Sequence, residues 1–160
     1  MQTTVTFDWS RNLTNELEGV TARTANHWKA LSVSKVYAEQ IQCLFNYGMN
    51  ACNDGLSVKH CIVQCFLHIG ARPELLTEDQ LVIINMFKIF RRLLTQQKGM
   101  DLFQKETEMM SGLSNLQREA LFLKSQCRLT YRDVADIMHL PIEQLHGHIS
   151  KAMAILLRGK

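Results

Sequence analysis

Helix-breaking residues are scarce in this chain, and their scarcity constrains the fold more than any other feature of the sequence. Only 2 prolines and 8 glycines occur among 160 residues. Because both residue types destabilise the interior of a helix, long stretches without them favour long helices. Apolar residues make up 46% of the chain, an ordinary fraction for a protein that buries a core. The sequence therefore predicts an all-α fold.

Three amphipathic segments predict a helical bundle in the N-terminal part of the chain. Apolar residues recur at spacings of three and four in 32–50, 56–70 and 78–97. Thr77 is the expected cap of the third segment. Helices of this length can bury a common core as a bundle. In the second segment the predicted core stripe is Val58, Cys61, Ile62, Cys65, Phe66 and Ile69.

Changes in composition predict the domain organisation. Residues 1–28 are polar and rich in threonine, which is typical of an N-terminal arm, and 29–97 contain the predicted bundle. Residues 98–112 have mixed charge and a glycine near each end, which indicates a linker with one short helix. Residues 113–160 form the C-terminal unit.

Local signals predict three shorter helices in the C-terminal unit. Ser114 is followed three residues later by Gln117, a capping-box pattern, and Thr130 is the expected cap of the next helix. Pro141 suits the start of the last helix, which we expect from about Ile142 to Leu157. The residues expected to face the core are Leu113, Leu116, Ala120 and Leu123 in the first helix, and Ile142, Leu145, Ile149 and Ala152 in the last.

The last two of these helices have the pattern of a helix-turn-helix. The small Ala135 allows the helices to approach closely, and Leu140 can fill the corner between them. A second helix presented in this way fits the major groove of DNA. The alternative is an ordinary helical hairpin inside a bundle. The residues expected on the outward side, with the two histidines at its flanks, are Glu143, Gln144, His146, Gly147, His148, Ser150 and Lys151.

A longer series of residues in the C-terminal unit matches the pattern of a known family. The series consists of Gln117, Arg118, Glu119, Thr130, Tyr131, Val134, Ala135, Asp136, Ile137, Pro141, Ala152 and Leu157. It resembles the fourth conserved domain of extracytoplasmic-function sigma factors. The segments LFNYGMNACNDGLSVKHCIVQCFLHI and MFKIFRRLLTQQ are more faintly similar to the second domain of the same family. The resemblance covers about 30–97 and 112–158.

The resemblance implies a role in transcription initiation. Proteins of this family bind core RNA polymerase and direct it to promoter DNA, are not enzymes, need no cofactor, and can be held by an anti-sigma factor. The implied polymerase-binding residues are His60, Gln64, Phe66 and His68, and Arg91 and Arg92 are implied promoter contacts. The implied DNA-binding residues of the helix-turn-helix are Tyr131, Arg132, Glu143, Gln144, His146, Gly147, His148, Lys151 and Arg158. For Arg91 and Arg92 the alternative is a solvated helix end beside the C-terminal dipole.

Some residues depart from the family pattern and keep other functions open. His60, Gln64 and His68 occupy positions where the family usually carries acidic residues, and His146 and His148 replace basic ones. Neutral histidines attract phosphate weakly at pH 7. One alternative is therefore a diverged sigma-like DNA-binding regulator that no longer initiates transcription. Another is a helical protein-interaction module, which would leave a large apolar surface uncovered on the helix spanning 83–94.

The remaining features concern location and other kinds of site. The net charge of +3 permits contact with nucleic acid without requiring it. No apolar stretch is long enough to span a membrane, and the first residues lack a signal pattern, so we expect a cytoplasmic protein. Neither a phosphate-binding glycine loop nor a nucleophile elbow occurs, which argues against an enzyme.

The five cysteines are interpreted as small buried apolar residues rather than as disulfides. Cys61, Cys65 and His68 could share one helix face with His60 nearby, which raises the possibility of a zinc site. The usual short knuckle and a distant second pair of ligands are both missing. Packing is therefore the preferred interpretation of these cysteines, and no metal is predicted.

Overall fold

The computed structural model describes residues 27–72, 75, 79–99, 102–104 and 110–158. Within these residues the chain forms six helices and no strand, which confirms the all-α prediction. The predicted arm lies outside the described residues except for His27 and Trp28, which are helical. The cap predicted at Thr77 and most of the predicted linker also lie outside them. The helices are α1 (His27–Cys52), α2 (Gly55–Gly70), α3 (Asp79–Lys98), α4 (Asn115–Ser125), α5 (Tyr131–Met138) and α6 (Ile142–Arg158).

Capping boxes start α4 and α5 at the residues that the sequence predicts. The Ser114 hydroxyl accepts from the Gln117 amide at 3.3 Å, and the Gln117 side chain accepts from the Ser114 amide at 2.9 Å. Thr130 and Asp133 make the same reciprocal pair at 3.2 and 3.1 Å. Each box satisfies two backbone donors that a helix start otherwise leaves without a partner. Both helix starts are thus determined by residues three positions apart.

Helices α1, α2 and α3 pack against one another around fully buried side chains. Every residue of the core stripe predicted for α2 is buried, so that prediction is confirmed. Tyr47 is completely buried, and its ring centroid lies 5.2 to 6.0 Å from four phenylalanine rings. Edge contacts of this kind stabilise a core beyond the area that they bury. The four rings are those of Phe87, Phe90, Phe103 and Phe122.

The N-terminal bundle and the C-terminal unit share one continuous core. Helix α1 contacts α4, and α3 contacts α5. Phe103, within the predicted linker, is 4% exposed, and its amide donates to the Ala51 carbonyl at 2.8 Å. The Phe103 carbonyl in turn accepts from Arg118 Nη1 at 3.0 Å. This part of the connecting segment is therefore bonded to both halves of the molecule.

Two residues expected in the core are instead exposed. Leu116 in α4 and Ile142 in α6 are 39% and 38% exposed, so the predicted inward orientation of both was wrong. Ile142 occupies the first turn of α6, and the helix reaches the core one turn later at the fully buried Leu145. Helix α4 also buries polar residues. Glu119 has its partners on α1 and α3, Arg118 bonds to the connecting segment, and Gln117 bonds to the helix cap Ser114. These polar residues are Gln117, Arg118 and Glu119.

Candidate nucleic-acid interface

Helices α5 and α6 meet at a tight corner built from His139, Leu140 and Pro141. His139 adopts the left-handed conformation with φ of 55° and ψ of 43°, which ends α5. The Leu140 amide then donates to the Ala135 carbonyl at 2.9 Å. Ala135 is buried and Leu140 packs partly buried against the core. Ala135 and Leu140 are therefore both placed on the inner side of this corner, and their expected roles in close helix approach remain a prediction.

One side of α6 packs inward and the other faces solvent. Leu145, Ile149 and Ala152 are buried against α4 and α5, as predicted from their spacing. His148 is half-buried at the edge of the outward side. The packing of α3 on α5 leaves that outward side uncovered. Its exposed residues are Glu143, Gln144, His146, Gly147, Ser150 and Lys151, with Arg158 exposed in the last turn.

A stacked pair of rings connects the start of α5 to α6. The Tyr131 and His146 rings lie 4.3 Å apart between centroids with an interplanar angle of 23°. The Lys124 ammonium lies 5.0 Å from the centre of the Tyr131 ring. An ammonium at this distance is attracted by the ring's negative face. The contact fixes Tyr131 and His146 relative to each other, and sequence reasoning missed it because no local pattern predicts it.

Fixed charge on the exposed surface of 110–158 is moderately positive. The exposed acidic residues there are Asp136 and Glu143. The Asp136 carboxylate is bonded to Lys88 of α3 at 2.6 Å, which reduces its repulsion of an anion. A surface of this sign favours contact with a phosphate backbone. The exposed basic residues are Arg128, Arg132, Lys151 and Arg158.

Arg91 is half-buried and held in an ion pair with Glu119, so its guanidinium is engaged within the protein rather than free for the predicted promoter contact. Its Nε and Nη2 atoms donate to the two carboxylate oxygens of Glu119 at 2.7 and 3.2 Å. The Tyr47 hydroxyl donates to the same carboxylate at 2.6 Å. Burial raises the pKa of Tyr47 well above its usual value, and Glu119 raises it further, so Tyr47 remains a donor. Arg92 points outward and is exposed.

The residues implied to bind polymerase do not all share one surface. His60 and Gln64 are exposed on α2, and His68 is half-buried. Burial, followed by the nearby charges of Arg72 and Arg92, lowers the pKa of His68. Phe66 is 2% exposed and belongs to the core stripe, so its predicted surface role is corrected. A phenylalanine on the apolar side of an amphipathic helix packs inward while its polar neighbours face solvent.

The interpretation of the cysteines is correct for two of them and wrong for another two. Cys61 and Cys65 are fully buried core residues, as predicted. Burial raises the pKa of Cys61 to about 11 and raises that of Cys65 further, which disfavours the thiolate that binds metals. Cys43 and Cys127, in contrast, form a disulfide between α1 and the segment after α4. Their Cα atoms lie 5.9 Å apart although 84 positions separate them, a proximity that only the folded chain creates.

Comparisons with known proteins leave the family assignment as a prediction. No family model matches the chain, and no curated protein or solved structure matches it either. In the part of the chain that the structure describes, no helix has the length and apolar character needed to cross a membrane. Among the same residues, no group of three or more histidine, cysteine or acidic side chains is arranged to hold a metal ion. The cytoplasmic location stays a prediction.

Proposed function

We propose that this protein is a sigma-like transcription factor, which binds promoter DNA through α6 and core RNA polymerase through the polar side of α2. The observation that carries the proposal is the geometry of α5 and α6. A left-handed residue at the corner and a buried Ala135 hold the two helices at a tight corner. The outward side of α6 is left uncovered, as a helix that enters the major groove requires.

Within this proposal the exposed residues of α6 and α5 have different roles. Gln144, Gly147 and Lys151 face the base edges, and His148 lies at the border of that surface. Arg132 and Arg158 contact phosphates, which positions the helix without reading sequence. Glu143 and His146 lie beside the base-reading residues, and Tyr131 holds His146 in place through the ring stack. The exposed His60 and Gln64 of α2 provide the polymerase contact.

The structure bears on the competing hypothesis of a helical interaction module. That hypothesis requires a large uncovered apolar surface on the part of α3 that spans 83–94. The residues there that carry most of the apolar area are buried, and they pack against α1, α2 and α5. They are Ile84, Met86, Phe87, Ile89, Phe90 and Leu94. The surface that would favour an interaction module is therefore covered.

A pull-down with purified core RNA polymerase at low and moderate salt tests the polymerase contact. We expect retention at both salt concentrations, and we expect the His60→Ala/Gln64→Ala variant to lose retention at moderate salt. The matched control is Arg132→Gln/Lys151→Gln, which leaves α2 unchanged and should be retained like the natural protein. If the natural protein is retained at neither salt concentration, the sigma-like role is excluded.

Titration of a promoter-library duplex, followed by fluorescence anisotropy, tests the DNA contact. Arg132→Gln/Lys151→Gln should weaken binding, and loss of the Arg132 phosphate contact should reduce the slope of log affinity against log salt by about one. His60→Ala/Gln64→Ala should bind DNA like the natural protein. If both variants bind DNA equally, α6 is not the DNA-reading helix.

A further inference from the structure

A basic cleft of about 440 Å³ lies where the bundle meets the C-terminal unit. It is bordered by the end of α2, one side of α3 and the end of α5. Its volume falls within the range of sites that hold small molecules. Four residues of fixed positive charge line the cleft, and none of the acidic residues that the structure describes does. The four are Arg72, Lys88, Arg91 and Arg92.

Two of these four charges are already neutralised and two are available. Lys88 is bonded to Asp136 at 2.6 Å, and Arg91 is bonded to Glu119 at 2.7 Å. Arg72 and Arg92 are exposed, and neither forms an ion pair with a carboxylate among the described residues. Both arginines line the cleft together with His68, so both add positive potential to the same space. Two arginines that border one cleft match the charge of a phosphate chain, and a guanidinium group can bind phosphate oxygens through paired hydrogen bonds.

The rest of the lining suits an organic group attached to the phosphates. Leu75, Ile89 and Ile137 provide apolar surface, which can cover the face of a planar ring. Asn85 and Gln96 provide side-chain amides that can both donate and accept hydrogen bonds. An inorganic anion alone would leave this apolar and amide surface without a partner.

We infer that this cleft binds a phosphorylated small molecule of the nucleoside triphosphate class, with Arg72 and Arg92 holding the phosphates. The ligand contacts α2 and α3 of the bundle as well as Ile137 and His139 of the C-terminal unit. Binding therefore strengthens the contact between the two halves. The inference does not rest on the proposed role in transcription, since it uses other residues and another ligand.

Calorimetric titration of the full chain with ATP, without divalent cations, tests the inference. Tripolyphosphate and adenosine serve as the partial probes. We expect ATP to bind more tightly than tripolyphosphate, and adenosine to bind weakly. Arg72→Gln/Arg92→Gln should weaken ATP binding by about tenfold or more, since it removes charge-assisted hydrogen bonds to phosphate. Both residues are exposed, so unchanged helix content and melting temperature of the variant should confirm that it folds.

The matched control is Arg132→Gln/Lys151→Gln, which removes the same charge outside the cleft. It should bind ATP like the natural protein and lose affinity for duplex DNA, whereas Arg72→Gln/Arg92→Gln should show the opposite pattern. Equal weakening of ATP binding in both variants would overturn the inference, because it would show a general effect of charge. Loss of DNA binding rather than ATP binding in Arg72→Gln/Arg92→Gln would identify the cleft as a nucleic-acid contact. Equal affinity for tripolyphosphate and ATP would overturn the nucleoside part of the assignment.

Discussion

The two halves of the molecule hold their helices in different ways. In the C-terminal unit, α4 and α5 begin at capping boxes whose two residues lie three positions apart, and α5 ends at a left-handed residue. In the bundle, α1 and α3 meet through fully buried aromatic residues from distant parts of the sequence. The halves are then joined by Glu119, whose bond to Tyr47 spans 72 positions. Local caps determine helix starts in both halves, since Asp54 also caps α2 of the bundle. The difference between the halves lies in the long-range aromatic packing that brings α1 and α3 together.

Substitution of Glu119 by alanine should have the largest effect on stability. It leaves the half-buried Arg91 charge and the buried Tyr47 hydroxyl without their acceptor, and removing one partner of a buried ion pair costs about 3–5 kcal/mol. Urea denaturation monitored by circular dichroism measures the loss. The control is Asp136→Ala, which removes the more exposed pair with Lys88 and should cost less than about 1 kcal/mol. Equal losses for the two variants would contradict the structural role given to Glu119.

Reduction of the disulfide should have the next largest effect. Cys43 and Cys127 close a loop across 84 positions, and a bridge of this kind stabilises a protein by about 2–4 kcal/mol. We expect this loss in unfolding experiments with reductant, and in Cys43→Ser/Cys127→Ser without it. Cys52→Ser, which alters a free cysteine, should keep its sensitivity to reductant. Two results together would contradict the bridge. The natural protein would unfold identically with and without reductant, and non-reducing peptide mapping would yield no cross-linked peptide.

Two glycine substitutions compare the halves directly and should have smaller effects of opposite sign. A Cβ at Gly48 would lie 2.7 and 2.8 Å from the two methyl carbons of Val58, so Gly48→Ala overpacks the bundle. Overpacking destabilises a core by about 1–3 kcal/mol, and the higher helix propensity of alanine offsets about 1 kcal/mol of that loss. A Cβ at Gly147 meets nothing within 4 Å, so Gly147→Ala should stabilise α6 by up to about 1 kcal/mol. The melting temperature of each variant shows whether the substitution stabilises or destabilises the protein. A higher melting temperature for Gly48→Ala would show that Val58 can move aside.

The C-terminal unit could be predicted from the sequence more fully than the bundle. Ser114, Thr130 and Pro141 act on residues close to them, so their effects are visible in the order of residues alone. The apolar pattern places Leu116 in the core, because such a pattern identifies a helix side without showing which other helix will cover it. The burial of Glu119 depends on donors from α1 and α3, and no sequence spacing indicates them.

The candidate sites, too, could be predicted only where they depend on residues close together in the sequence. The exposed side of α6 follows from helical periodicity once the buried residues are identified. Arg91 and Arg92 are adjacent in the sequence, and only the position of Glu119 determines that Arg91 points inward and Arg92 outward. The Cys43–Cys127 bridge and the basic cleft require residues from both halves at once. Neither could be predicted before the packing of α1 on α4 and of α3 on α5 was known.

The position of Phe103 has a consequence for how the length of this chain can change. Segments that connect domains usually tolerate insertions and deletions, because few contacts fix their length. Here the Phe103 amide is bonded to Ala51 and its carbonyl to Arg118, while its ring contacts the buried rings of both Tyr47 and Phe122. A residue inserted next to it would shift the ring out of register with both halves. Insertions and deletions in the connecting segment are therefore expected away from Phe103. Two halves of different origin could be joined here only if both kept the residues that contact Phe103.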